Sequence, residues 1–226
     1  MIELTLDVLH GIPKNGPTDP IDYYTRPLIG RVFRARINRG LRLLPQRRFS
    51  RVLELGYGAG AVLLSLAPSV DELHGLDLDA DPRLVSALLE ARGRKATLRQ
   101  GSVYELPYED ESFDLVVSFS MFEHLHEYQK GLAEVARVLR PQGLFLLGMP
   151  AVNKLMEAAF LAIGFKGIND HHVTTPRQVR SAFGLTGLRV VRSTALDLPL
   201  PAPFGLRVYY DWLLEKPSGR RVVPRP

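Results

Sequence analysis

The sequence predicts an α/β fold with a mostly parallel sheet and helices on both faces, and three observations lead to this fold class. A strand from Arg51 runs through apolar residues into the glycine turn 56–60, and the apolar stretch 61–66 follows at once. Because glycine tolerates positive φ, such a strand, turn and helix N-terminus form a ligand site at the carboxyl edge of a parallel sheet. A second strand ends in an acid at Asp77, and the apolar run Phe113–Phe119 suits a strand buried on both faces.

The composition bounds the size and class of the protein. At 226 residues, the chain is long enough for one well-buried domain and too short for two full ones. It has no cysteine, which excludes disulfides, thiolate catalysis and cysteine-ligated zinc. Because the N-terminus lacks the basic segment of a signal peptide and no apolar run reaches the length of a membrane span, we expect a cytoplasmic protein.

The N-terminal part carries the densest positive charge of a chain whose net charge is +5. From Arg26 through Arg51 there are nine arginines and no acid, and Pro27 and Pro45 bracket a predicted helix. This basic helix (27–48) would either dock on the sheet edge with its arginines in water or contact an anionic surface, and docking is the prediction. Its apolar face consists of Leu28, Val32, Phe33, Ile37, Leu41 and Leu44.

The first half of the predicted sheet carries three acidic features. Glu54 lies two residues before the first glycine of the turn, and a charge at the end of a buried strand needs a partner. Asp77 follows the glycine turn by about 20 residues, the separation expected for an acid that binds a ribose diol. The run from Asp77 to Asp81 is not a calcium loop, because Pro82 stands where that loop needs glycine; Asp79 or Asp81 is instead the predicted N-cap of a helix over 82–92.

Further elements follow in order along the chain. Strands are predicted over 95–101, 113–119 and from Leu144, and a helix over 130–140 is stopped by Pro141, with Gly143 permitting the turn. The apolar stripe between 152 and 163 predicts another helix, and Thr175 before Pro176 predicts a helix start. Residues 187–193 predict a sixth strand, 207–214 are either a strand or a helix, and the tail 217–226 is predicted to be disordered.

The motifs from Val52 to Met149 together resemble the type 11 branch of class I S-adenosylmethionine (SAM) methyltransferases. The resemblance rests on Glu-x-Gly-x-Gly-x-Gly at 54–60, Leu106-Pro107 before the fourth strand, Phe113-Asp114 at its start, and the helix, Pro-x-Gly turn and strand at 137–148. It implies a Rossmann-like class I methyltransferase fold with a seven- or six-stranded sheet. It also implies a single domain, 1–226: lid and basic helix (1–50), SAM-binding core (51–150), substrate-side insertion and C-terminal half of the sheet (151–216), and tail (217–226).

The same resemblance implies a cofactor and the residues that bind it. The cofactor is SAM, with S-adenosylhomocysteine as the product. Glu54 would accept hydrogen bonds near the ammonium group, the glycine turn would pass beside the methionine part, and Asp77 would bind the ribose. Ser102 stands where the family has an aspartate that contacts the adenine amino group, so this contact would be uncharged. The full predicted cofactor-binding set is Glu54, Gly56, Tyr57, Gly58, Gly60, Asp77, Leu78, Ser102, Val103 and Ser118.

The predicted catalytic residues are Glu123 and His124, which directly follow the fourth strand. In enzymes that this chain resembles, the pair faces the substrate, and an imidazole could accept a proton from a hydroxyl or amine near neutral pH. The alternative is a structural pair that caps the following helix. Glu123, His124, His126, His171 and His172 also offer metal-ligand atoms, but no helical His-x-x-x-His spacing supports a metal site, and none is predicted.

The resemblance implies a methyltransferase that moves a methyl group by in-line displacement onto an unidentified acceptor, expected to be a small molecule or lipid-like. Tyr23 and Tyr24 are candidates for a lid over the cofactor, although they also suit simple packing. A nicotinamide-dependent oxidoreductase is the enzymatic alternative, because Gly56-x-Gly58-x-x-Ala61 fits the relaxed dinucleotide fingerprint. The second alternative is a non-catalytic module that binds SAM, or that binds an anionic partner through the basic helix. Nucleic acid is not the expected partner, because the sequence contains no nucleic-acid recognition motif.

Overall fold

The computed structural model describes residues 2–16, 19–151, 172–198 and 206–218. These residues contain seven strands and seven α-helices. The strands are β1 (Phe49–Leu55), β2 (Val70–Asp77), β3 (Thr97–Gln100), β4 (Phe113–Phe119), β5 (Leu139–Pro150), β6 (Arg189–Leu198) and β7 (Leu206–Glu215). The α-helices are α1 (Leu6–Leu9), α2 (Ile21–Thr25), α3 (Ile29–Leu41), α4 (Ala61–Leu66), α5 (Pro82–Ala91), α6 (Tyr128–Val138) and α7 (Pro176–Ala182).

One mostly parallel sheet with the order β3-β2-β1-β4-β5-β7-β6 organises the described chain. β1 lies between β2 and β4, with Leu55 opposite Leu76 on one side and Ser118 on the other. β7 is antiparallel to both of its neighbours, β5 and β6. The structure thus confirms the predicted fold class with seven strands, and it decides that 206–215 is a strand. In a parallel sheet the carboxyl ends of β1, β2 and β4 meet at one edge, where ligands of such folds bind.

The core has two layers, one on each face of the sheet. The α3 side chains Phe33, Ile37 and Leu41 pack in one layer with residues of β1 and β7, while Leu132 and Val135 of α6 pack in the other. The predicted docking of the basic helix on the sheet is therefore confirmed. Leu28 is a correction, because it precedes α3 and is 78% exposed rather than part of the apolar face.

Local chemistry sets the ends of several elements as predicted. Asp81 caps α5 by accepting from the Arg83 backbone N–H, and Thr175 and Gln178 form a reciprocal capping box at the start of α7. The segment after α6 corrects the predicted helix end and turn. α6 ends at Val138, before Pro141, and β5 begins at Leu139 rather than at Leu144, with an irregular stretch at 140–143 inside the strand. The positive φ falls on Gln142 (64°), whereas Gly143 is needed for space, since a Cβ there would lie 2.7 Å from the Arg140 carbonyl oxygen.

Two sequence predictions lie outside the described residues: the apolar stripe at 152–163 and most of the tail. Among the helices that the structure does describe, none combines the length and the apolar character needed to cross a bilayer.

Candidate active site

The glycine turn follows β1 and adopts the backbone that its glycines allow. The φ angles are 75° at Gly56, 49° at Gly58 and 81° at Gly60, all in the left-handed region. A Cβ at Gly60 would lie 2.5 Å from Cγ1 of Val85, so the turn packs against α5 too closely for any larger residue at this position. A Cβ at Gly58 would meet nothing nearer than Asp19 at 4.0 Å, so the backbone of this residue is accessible to a ligand.

Asp77, at the end of β2, holds the turn in place. One carboxylate oxygen accepts from the Gly58 N–H at 2.9 Å, and the other accepts from the N–H groups of Asp79 and Ala80 at 2.9 and 3.0 Å. Each oxygen of a carboxylate has two acceptor sites, so these three bonds leave one site, on the oxygen that accepts from Gly58, for a ligand hydroxyl. The predicted ribose ligand is therefore also the anchor of the glycine turn.

Glu54 is buried at the end of β1, with 3% of its surface exposed. Burial raises the pKa of its carboxyl well above the ordinary value, nearby Asp77 raises this pKa further, and a hydrogen bond from the Leu63 backbone opposes the rise. Its Oε2 accepts no hydrogen bond from the described residues. A positively charged group that arrived here would gain an acceptor and favour the ionised form of the acid.

The other predicted cofactor residues occupy different environments. Leu78 is 61% exposed beside Asp77, and Val103 is buried. The Ser102 hydroxyl accepts from the Tyr104 N–H at 3.2 Å. The ring of Tyr57 covers Gly75 of β2, where a Cβ would lie 2.8 Å from the ring.

Ser118 is fully buried, and its hydroxyl donates to the Leu55 carbonyl oxygen at 3.1 Å. It therefore ties β4 to β1.

The structure adds Asn15, which the sequence analysis did not identify. Asn15 is buried, and its side-chain amide donates to the carbonyl oxygens of Gly58 and Asp81 at 3.0 and 3.2 Å. Its Oδ1 accepts from the Asp81 N–H at 3.0 Å. An asparagine in a Pro- and Gly-rich loop is usually a turn residue, so no local signal distinguishes this contact.

The chain that follows β4 forms the second wall of the site. Ser120 has a positive φ of 55°, and its hydroxyl lies 2.8 Å from the Tyr209 hydroxyl on β7. Met121 packs against the glycine turn, since a Cβ at Gly56 would lie 3.0 Å from its Cγ. This wall therefore brings the end of β4 and β7 next to the predicted cofactor site.

Arg36 of α3 lies behind this wall rather than on a solvated helix face. It is partly buried, and its guanidinium stacks over the rings of Phe33 and Tyr209 at 4.3 and 5.3 Å. It also donates to the Tyr24 hydroxyl at 3.0 Å, so Tyr24 packs inward against α3. Burial raises the pKa of Glu123 to about 8 and that of Asp211 to about 8, and the charge of Arg36 opposes both shifts.

Other arginines of the basic run are engaged within the chain. Arg39 donates to the Ala195 carbonyl oxygen at 3.0 Å, and Arg42 pairs with Glu3 at 2.9 Å. Arg34 donates to the Tyr24 carbonyl oxygen, and Arg48 pairs with Asp71. Two of these four arginines are therefore ion-paired within the chain, and the other two are bonded to backbone carbonyl oxygens.

The predicted catalytic pair lies in a short 3₁₀ turn, Phe122–His124. Glu123 is buried, whereas His124 is exposed. The His124 ring lies 5.2 Å from the ring of His172, which reaches this point from the chain before α7. The structure thus brings together two histidines that are far apart in sequence, and His126, which is exposed, does not belong to this group.

Comparison with known proteins agrees with this fold. Residues 53–147 match the family model described as a methyltransferase domain, in the type 11 branch. YcgJ of Bacillus subtilis, an uncharacterised methyltransferase, is 35% identical over 99 residues, or 43% of this chain and 39% of YcgJ. Its crystal structure superposes with a TM-score of 0.63 at 20% identity, covering 82% of this chain and 99% of the YcgJ chain.

Two further relatives are named for their reactions. The ubiquinone biosynthesis O-methyltransferase of Maricaulis maris is 27% identical over 75% of this chain and 72% of its own. The malonyl-[acyl-carrier protein] O-methyltransferase of Geobacter sulfurreducens is 32% identical over 63% of this chain and 57% of its own. The chain thus spans between 39% and 72% of the length of these curated relatives.

The fold is that of a class I methyltransferase domain, with a glycine turn after β1 and an acid at the end of β2. The stretch 53–147 matches the methyltransferase domain of the type 11 branch, and a matched relative from Mycolicibacterium smegmatis, 38% identical over 44% of this chain, is named a probable S-adenosylmethionine-dependent methyltransferase. The relatives share the domain, and the resemblance inferred from the sequence over 52–149 is confirmed by the matched range 53–147.

Proposed function

We propose that this protein transfers the methyl group of SAM to an oxygen atom of a small-molecule or lipid-like acceptor. The observation that carries the proposal is the buried Glu54 carboxyl beside the glycine turn, which has an oxygen without a hydrogen-bond partner among the described residues. The ammonium group of SAM would donate to this oxygen. A pyrophosphate would bring negative charge to the same acid, so the site favours SAM over a dinucleotide.

The protein would act mainly by alignment and exclusion of water. The sulfonium methyl of SAM is already activated, so an acceptor oxygen can displace it in line once the two are held together. The glycine turn and Asp77 would hold the cofactor, while the segment after β4 would face the acceptor. The names of the Maricaulis and Geobacter relatives support oxygen as the nucleophile.

Calorimetric titration of the purified chain with SAM, S-adenosylhomocysteine and NADH tests the cofactor. We expect SAM and S-adenosylhomocysteine to bind and NADH not to bind. Asp77→Ala should lose this binding because it removes the acceptor of the Gly58 N–H, and Asp79→Ala, which alters an exposed neighbouring acid, should keep it. Binding of NADH with no binding of SAM would overturn the proposal in favour of a nicotinamide enzyme.

The acceptor class is tested with SAM that carries a radiolabelled methyl group. The protein is incubated with pools of hydroxylated aromatic compounds, quinols and carboxylic acids, and the intact products are extracted and identified. Label that appears in an ether or ester supports transfer to oxygen. Label found only on nitrogen, carbon or sulfur would contradict the acceptor part of the proposal and leave the cofactor part intact.

A further inference from the structure

A group of three possible metal ligands lies just beyond β4. One ligand atom from each of Glu123, His124 and His172 can be chosen so that all three lie within 4.8 Å of one another. Glu123 and His124 are neighbours in the turn Phe122–His124, whereas His172 is 48 residues beyond His124 in the sequence. The group therefore exists only because the chain before α7 packs on this turn.

Backbone hydrogen bonds fix that packing. The N–H groups of Val173 and Thr174 both donate to the Glu123 carbonyl oxygen, at 2.9 and 3.1 Å. The Thr174 hydroxyl donates to the Leu125 carbonyl oxygen at 2.6 Å. Because His172 directly precedes these residues, its ring is held next to the Glu123–His124 turn, which is the preorganisation that a binding site requires.

The carboxyl group of Glu123 provides a second, independent observation. Only 1% of Glu123 is exposed, and its Oε2 accepts no hydrogen bond from the described residues. A buried acceptor without a donor is costly, and a bound cation would satisfy it. The charge of Arg36 acts on the same carboxyl, so a cation must gain its affinity from coordination by several donors rather than from the carboxyl alone.

We propose that Glu123, His124 and His172 bind one divalent transition-metal ion. Two imidazole nitrogens and one carboxylate oxygen are the donor set of open zinc and non-haem iron sites, in which the remaining coordination positions take water or substrate. A metal about 2.1 Å from each donor keeps the donors no more than about 4.2 Å apart, so the side chains need to move only slightly inward. Hard cations such as Mg²⁺ and Ca²⁺ prefer oxygen ligands and fit this set poorly.

This site deepens the proposed function and rests on it for its role. A metal here would take the hydroxyl oxygen of an acceptor in an open position and lower the pKa of that hydroxyl. The O–H bond would break and its proton would leave to water, and the oxygen would then form a bond to the methyl carbon of SAM. The C–S bond would break with its electron pair left on sulfur. His124 would serve as a ligand in this arrangement rather than as the proton acceptor.

The test uses Co²⁺ and Zn²⁺ as probes on protein first freed of metal with a chelator. Because the chain contains no cysteine, visible absorption of bound Co²⁺ reports nitrogen and oxygen ligands without a thiolate contribution. We expect saturation at one equivalent of Co²⁺, displacement by Zn²⁺, and at least a tenfold loss of affinity in Glu123→Gln and in His172→Ala. The matched control is His126→Ala, which removes an exposed imidazole two residues from His124 and should bind normally.

Each variant is also titrated with SAM, so that failure of the metal site and failure of the proposed function can be told apart. SAM affinity within about twofold of the parent protein shows that the variant is folded and that only the metal site has changed. Absence of saturable Co²⁺ and Zn²⁺ uptake overturns the inference, and so does parent-like uptake in either Glu123→Gln or His172→Ala. Equal loss in His126→Ala would also overturn it, because binding would then be non-specific.

Discussion

The side-chain amide of Asn15 donates a hydrogen bond to the carbonyl oxygen of Gly58, at 3.0 Å and across 43 residues of sequence. Through this bond and two more to the backbone of Asp81, the N-terminal loop fixes the outer side of the glycine turn. Asp77 fixes the inner side through the Gly58 N–H. The turn that would bind SAM is thus held from both sides, and its geometry depends on a loop that precedes the sheet.

The first prediction concerns Asn15→Ala. The substitution removes three hydrogen bonds and leaves backbone groups of Gly58 and Asp81 without their partner, at a cost of about 1 kcal/mol for each bond lost. We expect SAM affinity to fall by about tenfold or more, because a loosened turn must be ordered again on binding. Calorimetric titration measures the affinity, and thermal unfolding measures the loss of stability.

Asn38→Ala is the matched control for that loss. Asn38 also ties a distant segment through its amide, accepting from the Leu4 N–H at 2.7 Å and donating to the Leu4 carbonyl oxygen at 3.1 Å. Its bonds do not reach the glycine turn, so it should lower the unfolding temperature without changing SAM affinity. Equal effects of the two variants on SAM affinity would show that Asn15 acts only through overall stability.

The second prediction is that SAM binding releases a proton from Glu54. The raised pKa leaves part or all of this carboxyl protonated in the cofactor-free protein at pH values where an ordinary glutamate is ionised. The ammonium group of SAM favours the ionised form, so affinity should increase as pH rises through the range above the ordinary glutamate pKa. Calorimetry in two buffers of different ionisation enthalpy measures the proton count.

Glu54→Gln is the variant that checks this linkage. The amide keeps the size of the side chain and cannot release a proton, so both the buffer dependence of the binding enthalpy and the rise of affinity with pH should disappear. If the variant kept the proton release of the parent protein, the proton would have to come from another group, and the role of Glu54 would be wrong.

The third prediction concerns the pH dependence of stability that Asp211 contributes. Burial raises its folded-state pKa to about 8, while an aspartate in an unfolded chain titrates near about 4. Between these values the folded state holds a proton that the unfolded state has released, so this contribution to stability decreases as pH rises. The slope is at most about 1.4 kcal/mol per pH unit.

Asp211→Asn should therefore gain stability relative to the parent protein as pH rises from about 5 to about 8, because the amide has no proton to lose. Denaturant unfolding across this pH range measures the difference. Asp197→Asn provides a contrast, because its partner Arg207 lowers the pKa of Asp197, and its contribution is lost as pH falls. A constant difference between Asp211→Asn and the parent protein at all pH values would contradict the prediction.

The fourth prediction compares two glycines with positive φ. Gly60 and Gly93 have φ of 81° and 64°, but an added Cβ would lie 2.5 Å from Val85 Cγ1 at Gly60, whereas at Gly93 it would meet nothing within 4 Å. Gly93→Ala should lose about 1–2 kcal/mol of unfolding free energy from backbone strain alone. Gly60→Ala should lose about 1–3 kcal/mol more from the overlap.

Denaturant unfolding of both variants, and of Gly60→Ala combined with Val85→Ala, measures these losses of unfolding free energy. The double variant should be less destabilised than the sum of its single changes, because shortening Val85 removes the group that the new methyl meets. Strict additivity would show that the contact with Val85 does not limit the turn.

The sequence by itself determined the part of the fold that depends on neighbouring residues. The glycine turn after β1, Asp77 at the end of β2 and the strand 113–119 follow from turn chemistry and apolar patterning, which act over a few residues. The caps at Asp81 and Thr175 follow for the same reason. These local features, in their order, were enough to indicate the family and its cofactor.

Only the tertiary structure decided which distant residues meet. Asn15 reaches Gly58, Arg36 turns inward beneath Tyr209, and His172 joins Glu123 and His124, although no spacing in the sequence relates them. The same is true of 206–215, whose pattern suits a helix or a strand until β5 and β6 pair with it. The physical reason is that such contacts depend on the order of strands in the sheet and on packing across it, whereas periodicity and turn signals report only the local path of the chain.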